Sequence, residues 1–91
     1  MIVSFRSKAL RLFWEERSRR GLRPDLVERI FDRLTLLHLA EAIDDIDVPG
    51  ARLHGLQGRP KRYAVSVNKN WRITFGWDDG DVVDVDLEDY H

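Results

Sequence analysis

The fold is decided by residues 63–87, whose sequence is YAVSVNKNWRITFGWDDGDVVDVDL. Apolar and polar side chains alternate through three runs of this stretch, which is the pattern of half-buried β-strands. Asn68-Lys69-Asn70 separates the first two runs, and Asp79-Gly80, a two-residue sequence typical of tight hairpins, separates the last two. We therefore predict a meander of three long antiparallel strands, preceded by a short strand near Arg52–Leu56.

The amino-terminal half has a helical period instead. Apolar residues recur at spacings of three and four in residues 7–20 and again in residues 24–43, which predicts two amphipathic helices. Gly21 separates the helices, and residues 44–51 form the predicted linker into the strands. Residues 2–5 are long enough to add one edge strand to the sheet.

These elements predict an α+β fold in the order β-α-α-β-β-β-β. An antiparallel sheet of four to five strands carries the N-terminal helical hairpin on one face. The length of 91 residues and a hydrophobic content of 43% fit one globular domain, residues 1–91. No apolar run approaches the roughly 20 residues that span a bilayer, and the amino end lacks the pattern of a signal peptide. The chain has no cysteine, which excludes disulfides and thiolate metal sites, so a cytoplasmic protein is expected.

Charge is segregated along the strands, although the net charge is only −1. Residues 52–72 hold six basic side chains and no acidic one, and residues 73–91 hold seven acidic side chains and no basic one. Two interpretations stay open. The segments either neutralise each other across neighbouring strands, or the basic segment forms a phosphate-binding surface.

Strand alternation sorts the side chains of the meander onto two faces. The apolar set that should face the helices is Tyr63, Val65, Val67, Trp71, Ile73, Phe75, Trp77, Val83, Val85 and Leu87. The set on the opposite, open face is Ala64, Ser66, Arg72 and Thr74. With Leu53 in the core, His54 turns to the same open face. The pattern predicts a shallow concave site there.

Five short strings follow one another in the second half of the chain. They are LHGLQG at 53–58, YAVSVN at 63–68, NWRITF at 70–75, GD at 80–81 and DYH at 89–91. In this order they resemble the HigB-type toxins of the RelE/ParE superfamily of bacterial toxin–antitoxin systems. The resemblance covers essentially the whole chain, and the fold expected for the family agrees with the elements predicted above.

The resemblance implies a type II toxin that is a ribosome-dependent mRNA endonuclease, an mRNA interferase that inhibits translation by cutting codons in the 30S A site. The reaction would be attack of a ribose 2′-hydroxyl on the neighbouring phosphate. This chemistry needs a base, an acid and cations around the phosphorus, but no metal and no other cofactor. The implied partners are the ribosome with its mRNA and a HigA-type helix-turn-helix antitoxin.

The resemblance also implies roles for four side chains. His54 and His91 form the acid–base pair, since histidine titrates near neutral pH. Asp89 matches the family's acidic member, which orients a histidine or acts as the base, and Tyr90 matches an aromatic that stacks on a nucleotide base. Structural alternatives stay open: a solvated histidine at His54, a frayed chain end at His91, another acid of an acidic tail at Asp89, and a ring covering the sheet edge at Tyr90.

Arg72 is the candidate for contacting the scissile phosphate, because a guanidinium can bind two phosphate oxygens at once. It follows Trp71, which is expected to be buried and to fix its position. The alternative is a cross-strand ion pair with Asp84 or Asp86.

The loop before the first long strand supplies further cations. Arg59, Lys61 and Arg62 are expected to bind the RNA backbone without distinguishing bases, unless they form an ordinary basic loop. Several relatives carry lysine where this chain has Gln57, and a glycine often stands in the place of Arg62.

Two other functional classes remain open. A ParE-like toxin shares the fold but binds DNA gyrase and has no nuclease constellation, and the presence of both His54 and Asp89-Tyr90-His91 favours the nuclease. The third class is an inactive relative that serves only as a binding module for an antitoxin.

Overall fold

The computed structural model describes residues 1–90, which fold into two α-helices and a four-stranded sheet joined by loops and short 3-10 turns. The helices are α1 (Lys8–Glu16) and α2 (Val27–Leu39), and the strands are β1 (His54–Leu56), β2 (Arg62–Ser66), β3 (Trp71–Asp78) and β4 (Asp81–Asp89). The strands lie in the order β1-β2-β3-β4, and every neighbouring pair is antiparallel. The predicted α+β architecture is confirmed. None of the helices in this part of the chain is long and apolar enough to cross a membrane.

Helix α1 is shorter than the predicted range of residues 7–20. Ser7 is its N-cap, and the Ser7 Oγ accepts a 3.1 Å hydrogen bond from the Leu10 N–H. The helix ends at Glu16 because Arg17 has a left-handed backbone with φ of 59°, and the Arg17 N–H then closes the helix on the Phe13 carbonyl at 2.9 Å. The apolar period does not reveal this end, since the stop is made by Arg17 rather than by Gly21.

Helix α2 ends at Leu39, which corrects the predicted end near residue 43. The Asp45 carboxylate accepts backbone hydrogen bonds from Glu41 at 2.9 Å and from Ala42 at 3.0 Å. These bonds start a separate 3-10 turn over Ile43–Ile46, inside the segment predicted to be a linker. They also lower the pKa of Asp45, because both donors favour its charged form.

The core lies between the two helices and one face of the sheet. Its buried members include Leu10, Phe13, Ile30, Leu34, Leu37, Val65, Ile73, Phe75, Val82 and Val85. Arg33 ties α2 to the sheet, since its Nε donates to the Ser66 carbonyl at 2.7 Å. His38 has a structural role, because its Nδ1 accepts a 3.2 Å hydrogen bond from the Ile2 N–H.

The predicted amino-terminal edge strand is present only as two isolated parallel bridges to β4. Ile2 pairs with Val82, and Phe5 pairs with Val85. Between them the Ser4 hydroxyl accepts a 2.8 Å hydrogen bond from the Asp84 N–H. The first residues therefore run along the outer edge of β4 without extending the antiparallel ladder.

The hairpin between β3 and β4 contains the predicted tight turn and, beyond it, a bulge that the alternation did not predict. Asp79 and Gly80 both have positive φ, 48° and 94°, as a type I′ turn requires. Gly76 pairs with Val83 and Thr74 pairs with Asp86, so one residue of β3, Phe75, faces two residues of β4.

The bulge corrects one predicted core position. Asp84, one of the two residues opposite Phe75, has φ of 53°. Val82 pairs with Trp77 and is completely buried, as is Val85 beyond the bulge, whereas Val83 is half-buried on the opposite face beside Gly76. The prediction that Val83 faces the helices was therefore wrong.

Candidate active site

On the sheet face opposite the helices, two rows of paired residues carry most of the polar side chains of the candidate site. His54 pairs with Ala64, Ala64 with Thr74, and Thr74 with Asp86. In the next row Ser66 pairs with Arg72 and Arg72 with Glu88. The sequence suggested that the middle of this face is open, but the structure shows that it is covered. Ala64 and Thr74 are completely buried and Ser66 is nearly so.

A chain of three polar side chains covers the middle of the face. Arg62 Nη2 donates to the Thr74 hydroxyl at 3.0 Å, and that hydroxyl donates to Glu88 Oε2 at 2.6 Å. A threonine hydroxyl has one proton, so the direction of this chain is fixed from Arg62 through Thr74 to Glu88. Arg62 Nη2 also donates to the Asp84 carbonyl at 2.9 Å, which ties the chain to the bulge.

Arg62 is thereby part of the packed face rather than of a free basic loop. Burial lowers the pKa of its guanidinium, and the nearby charge of Arg6 lowers it further, while Glu88, Asp84 and Asp86 act in the opposite direction. The guanidinium stays charged at neutral pH, because its pKa lies so far above that range.

Arg72 stands between an acidic and an aromatic side chain. Its Nη2 lies 3.6 Å from Glu88 Oε1, and the carbon of its guanidinium lies 5.3 Å from the centre of the Tyr90 ring. The sequence alternative of a cross-strand ion pair is thus correct in kind, but the partner is Glu88 and not Asp84 or Asp86. Arg72 Nε is buried and has no hydrogen-bond partner within residues 1–90. The guanidinium therefore keeps hydrogen-bonding capacity that the described residues do not use.

His54 lies at the edge strand β1 and is exposed. Its Nδ1 is 2.9 Å from the Arg52 carbonyl oxygen. A carbonyl can only accept, so this contact places the proton of the neutral ring on Nδ1 and leaves Nε2 as the basic nitrogen. The Cα atoms of His54 and Thr74 are two strand spacings apart, about 10 Å. A bound nucleotide would therefore be needed to bridge His54 and Arg72.

The carboxyl-terminal residues separate onto different faces. Tyr90, whose N–H donates to the Asn70 carbonyl at 2.9 Å, contacts Arg72. Asp89 pairs with Trp71, which puts its Cα in register with the helix-covered face rather than with Arg72. The predicted role of His91 lies outside the described residues.

The remaining predicted cations do not gather at Arg72. Arg59 is exposed in the loop before β2, as is Gln57. The Lys61 ammonium lies 5.6 Å from the centre of the Tyr63 ring, and the Tyr63 ring stacks on Phe75 of the core face. The Lys61 ammonium therefore lies on the core-facing side of the sheet, at its edge, whereas Arg72 lies on the opposite face.

The sequence pattern did not reveal the parts played by Glu88 and Thr74. Glu88 was only one of seven acids in the last segment, and Thr74 was only a small residue of the open face. The usable signal was the spacing of Glu88 and Tyr90, which strand alternation puts on one face. The bulge was needed in addition, because it determines that this face is the one that carries Arg72.

Comparison with known proteins identifies the family of the chain. Residues 3–91 match the model of a family described as the RelE-like toxin of the type II toxin–antitoxin system HigB. The chain is 38% identical over 92 aligned residues to an endoribonuclease HigB of Proteus vulgaris, with both chains covered completely. It is 36% identical over 83 residues to toxin HigB-1 of Vibrio cholerae serotype O1, covering 88% of this chain and 87% of the relative. The chain therefore belongs to the HigB-like family of RelE-like toxins of type II toxin–antitoxin systems, which implies an antitoxin partner.

Proposed function

We propose that this toxin is a ribosome-dependent mRNA endonuclease that cuts the codon in the 30S A site and so inhibits translation in the cytoplasm. The observation that carries the proposal is Arg72, a cation held between Glu88 and Tyr90, whose buried Nε has no hydrogen-bond partner among residues 1–90. The name endoribonuclease HigB, given to the Proteus vulgaris relative, supports the same chemistry. The proposed antitoxin is a HigA-type helix-turn-helix protein.

The proposed reaction is an internal transesterification. The ribose 2′-oxygen forms a bond to the adjacent phosphorus, and the bond from phosphorus to the 5′-oxygen of the next nucleotide breaks. The products are a 2′,3′-cyclic phosphate and a free 5′-hydroxyl. One proton leaves the 2′-hydroxyl for a base, and one proton reaches the departing 5′-oxygen from an acid. No metal is needed for these transfers.

Each group of the site then has a defined task. The unprotonated Nε2 of His54 suits a general base, with Asp89 as the alternative base, and His91 is proposed as the acid. Arg72 would stabilise the extra negative charge on the phosphorane-like transition state, where a fixed cation is more effective than a mobile one. Tyr90 would stack on a nucleotide base, which holds single-stranded RNA in place.

The basic residues of the preceding loop would bind RNA backbone. Arg59 is exposed, and the Lys61 ammonium stands at the sheet edge over Tyr63, so both are accessible to ribosomal or messenger RNA. Arg62 contributes mainly through its contacts to Thr74 and Asp84. Contacts of this kind add affinity that weakens with salt but do not select a sequence.

The test is mRNA cleavage mapped by primer extension in a purified translation system. The variants are His54→Ala, His91→Ala and Arg72→Ala, with Lys69→Ala as the control that removes an exposed cation from the same basic segment. Circular dichroism and thermal unfolding establish that each variant is folded. We expect cleavage in A-site codons by the wild type and by Lys69→Ala, and a loss of about 100-fold or more in the other three.

Absence of cleavage by the folded wild type, with and without ribosomes, would refute the proposal. Inhibition of DNA gyrase by the same preparation would then support the ParE-like function. Antitoxin binding without either activity would indicate an inactive relative.

A further inference from the structure

We propose that Glu88 is a positioning residue for the nuclease reaction. Its carboxylate, anchored by the Thr74 hydroxyl, holds the Arg72 guanidinium ready for the scissile phosphate. The inference rests on the proposed function and adds to it a residue pair that the resemblance does not assign.

The first observation is that one oxygen of Glu88 is fixed. Glu88 Oε2 accepts the 2.6 Å hydrogen bond from Thr74, a length typical of a hydroxyl bound to a carboxylate. Thr74 is completely buried in the middle of β3, and its hydroxyl also accepts from Arg62. The anchor is therefore part of the rigid sheet, and the Glu88 carboxylate cannot follow Arg72 freely.

The second observation is that the other oxygen of Glu88 attracts Arg72 without using up its donors. Oε1 lies 3.6 Å from Arg72 Nη2, which is beyond the length of a good hydrogen bond. Nε has no partner within residues 1–90. A guanidinium has five N–H donors, so an arginine held in this way keeps donors for a phosphate.

These contacts predict that removing the Glu88 charge slows the chemical step without weakening substrate binding. A carboxylate beside a phosphate site repels RNA, so removing its charge should not weaken binding. Losing the alignment of Arg72 should slow cleavage, because stabilisation of the transition state depends on geometry. An ordinary RNA-binding residue would instead change binding and leave the saturated rate alone.

Two variants remove the two halves of the contact separately. Glu88→Gln keeps the shape and removes the charge, and Thr74→Val keeps the charge and removes the anchor. Asp86→Asn is the matched control. Asp86 lies on the same strand and the same face, and its carboxylate accepts from the Leu87 N–H instead of contacting Arg72. Thermal unfolding establishes that all three variants are folded.

The first measurement is single-turnover cleavage of ribosome-bound mRNA, with the dissociation constant for programmed ribosomes determined in parallel. We expect the rate at saturation to fall about 10- to 100-fold in Glu88→Gln and in Thr74→Val. The dissociation constant of Glu88→Gln should be unchanged or lower. Asp86→Asn should stay within about twofold of the wild-type rate.

The second measurement is independent of activity. Hydrogen exchange of the Arg72 Nε–H, followed by NMR on the free proteins, reports how firmly the side chain is held. We expect exchange at least about tenfold faster in Glu88→Gln and Thr74→Val than in the wild type and Asp86→Asn, because the buried Nε–H becomes accessible when the side chain moves.

The outcomes separate this inference from the proposed function. Faster exchange together with slower cleavage supports the positioning role. Wild-type cleavage rates in folded Glu88→Gln, or a loss of ribosome binding instead of rate, would overturn it while leaving the nuclease intact. A wild type that does not cleave overturns the proposed function and with it any catalytic role for Glu88. The exchange data would then report only whether Glu88 and Thr74 hold the Arg72 side chain in the folded protein.

Discussion

The bulge in β4 predicts that Val82, and not its neighbour Val83, is the valine buried in the core, whereas simple alternation predicts the opposite. Val82 is completely buried, and Val83 is half-buried on the other face. Threonine has nearly the shape of valine and adds one hydroxyl, so the two substitutions Val82→Thr and Val83→Thr ask which side chain lies in the core. We expect Val82→Thr to be strongly destabilising and Val83→Thr to be nearly neutral.

The magnitude follows from the burial. Placing a hydroxyl in an apolar core costs about 1–3 kcal/mol in mutational data, because the group loses water. For a domain of this size each kcal/mol corresponds to roughly 4–8 °C in Tm. Val82→Thr should therefore lower Tm by at least about 4 °C, whereas a substitution at a half-buried position such as Val83→Thr typically changes stability by less than about 0.5 kcal/mol.

The assay is thermal unfolding followed by circular dichroism, with urea unfolding to obtain the free energy of unfolding. Val65→Thr is the positive control, because Val65 is also completely buried. A larger loss of stability for Val83→Thr than for Val82→Thr would refute the bulge at Asp84. Equal losses would show that the two positions do not differ in burial.

Three further predictions concern a carboxylate, a helix cap and the chain end. Two backbone N–H donors lower the pKa of Asp45 in the folded state, so its contribution to stability is present above the unfolded pKa near 3.8 and is lost as the pH falls below that value. The Tm difference between wild type and Asp45→Asn should therefore narrow below about pH 4, and Asp44→Asn is the control. Ser7→Ala should cost about 1 kcal/mol in urea unfolding, because the Leu10 N–H loses its cap, and Ser7→Asp, which can cap, should retain most of the stability. A folded domain fused after His91 should abolish A-site cleavage without lowering Tm, while the same fusion before residue 1 should cleave, and an active carboxyl-terminal fusion would contradict the roles of Tyr90 and His91.

The features that the sequence predicted are those set by local chemistry. Asp79-Gly80 forms the hairpin turn because both residues tolerate positive φ, and the alternation through Ile73 and Phe75 matches the buried face of β3. The helix ends were wrong because they depend on single contacts. Arg17 leaves the helix in a left-handed conformation, and Asp45 captures backbone donors, and neither event interrupts the apolar period.

The candidate site was predicted in part for the same reason. Alternation put Arg72 and Thr74 on one face, and pairing confirms this. The ion-pair partner was not predictable, because Asp84, Asp86 and Glu88 are equivalent acids in the sequence and only the register distinguishes them. Registers across a bulge depend on where one extra residue is accommodated, which is a property of packing and not of local pattern.

One extra residue in β4 connects the stability of the core with the chemistry of the site. Without the bulge, a ladder that started at Asp78 and Asp81 would bring Arg72 opposite Leu87 and would exchange the two faces of β4 beyond Val83. Because the bulge is present, Leu87 packs against the core while Glu88 pairs with Arg72. The hydrophobic residues that stabilise the fold therefore select the register in which the acid and the arginine meet. A variant that shifts this register should lose the Arg72 contacts and core packing together, whereas Glu88→Gln should lose only the contacts.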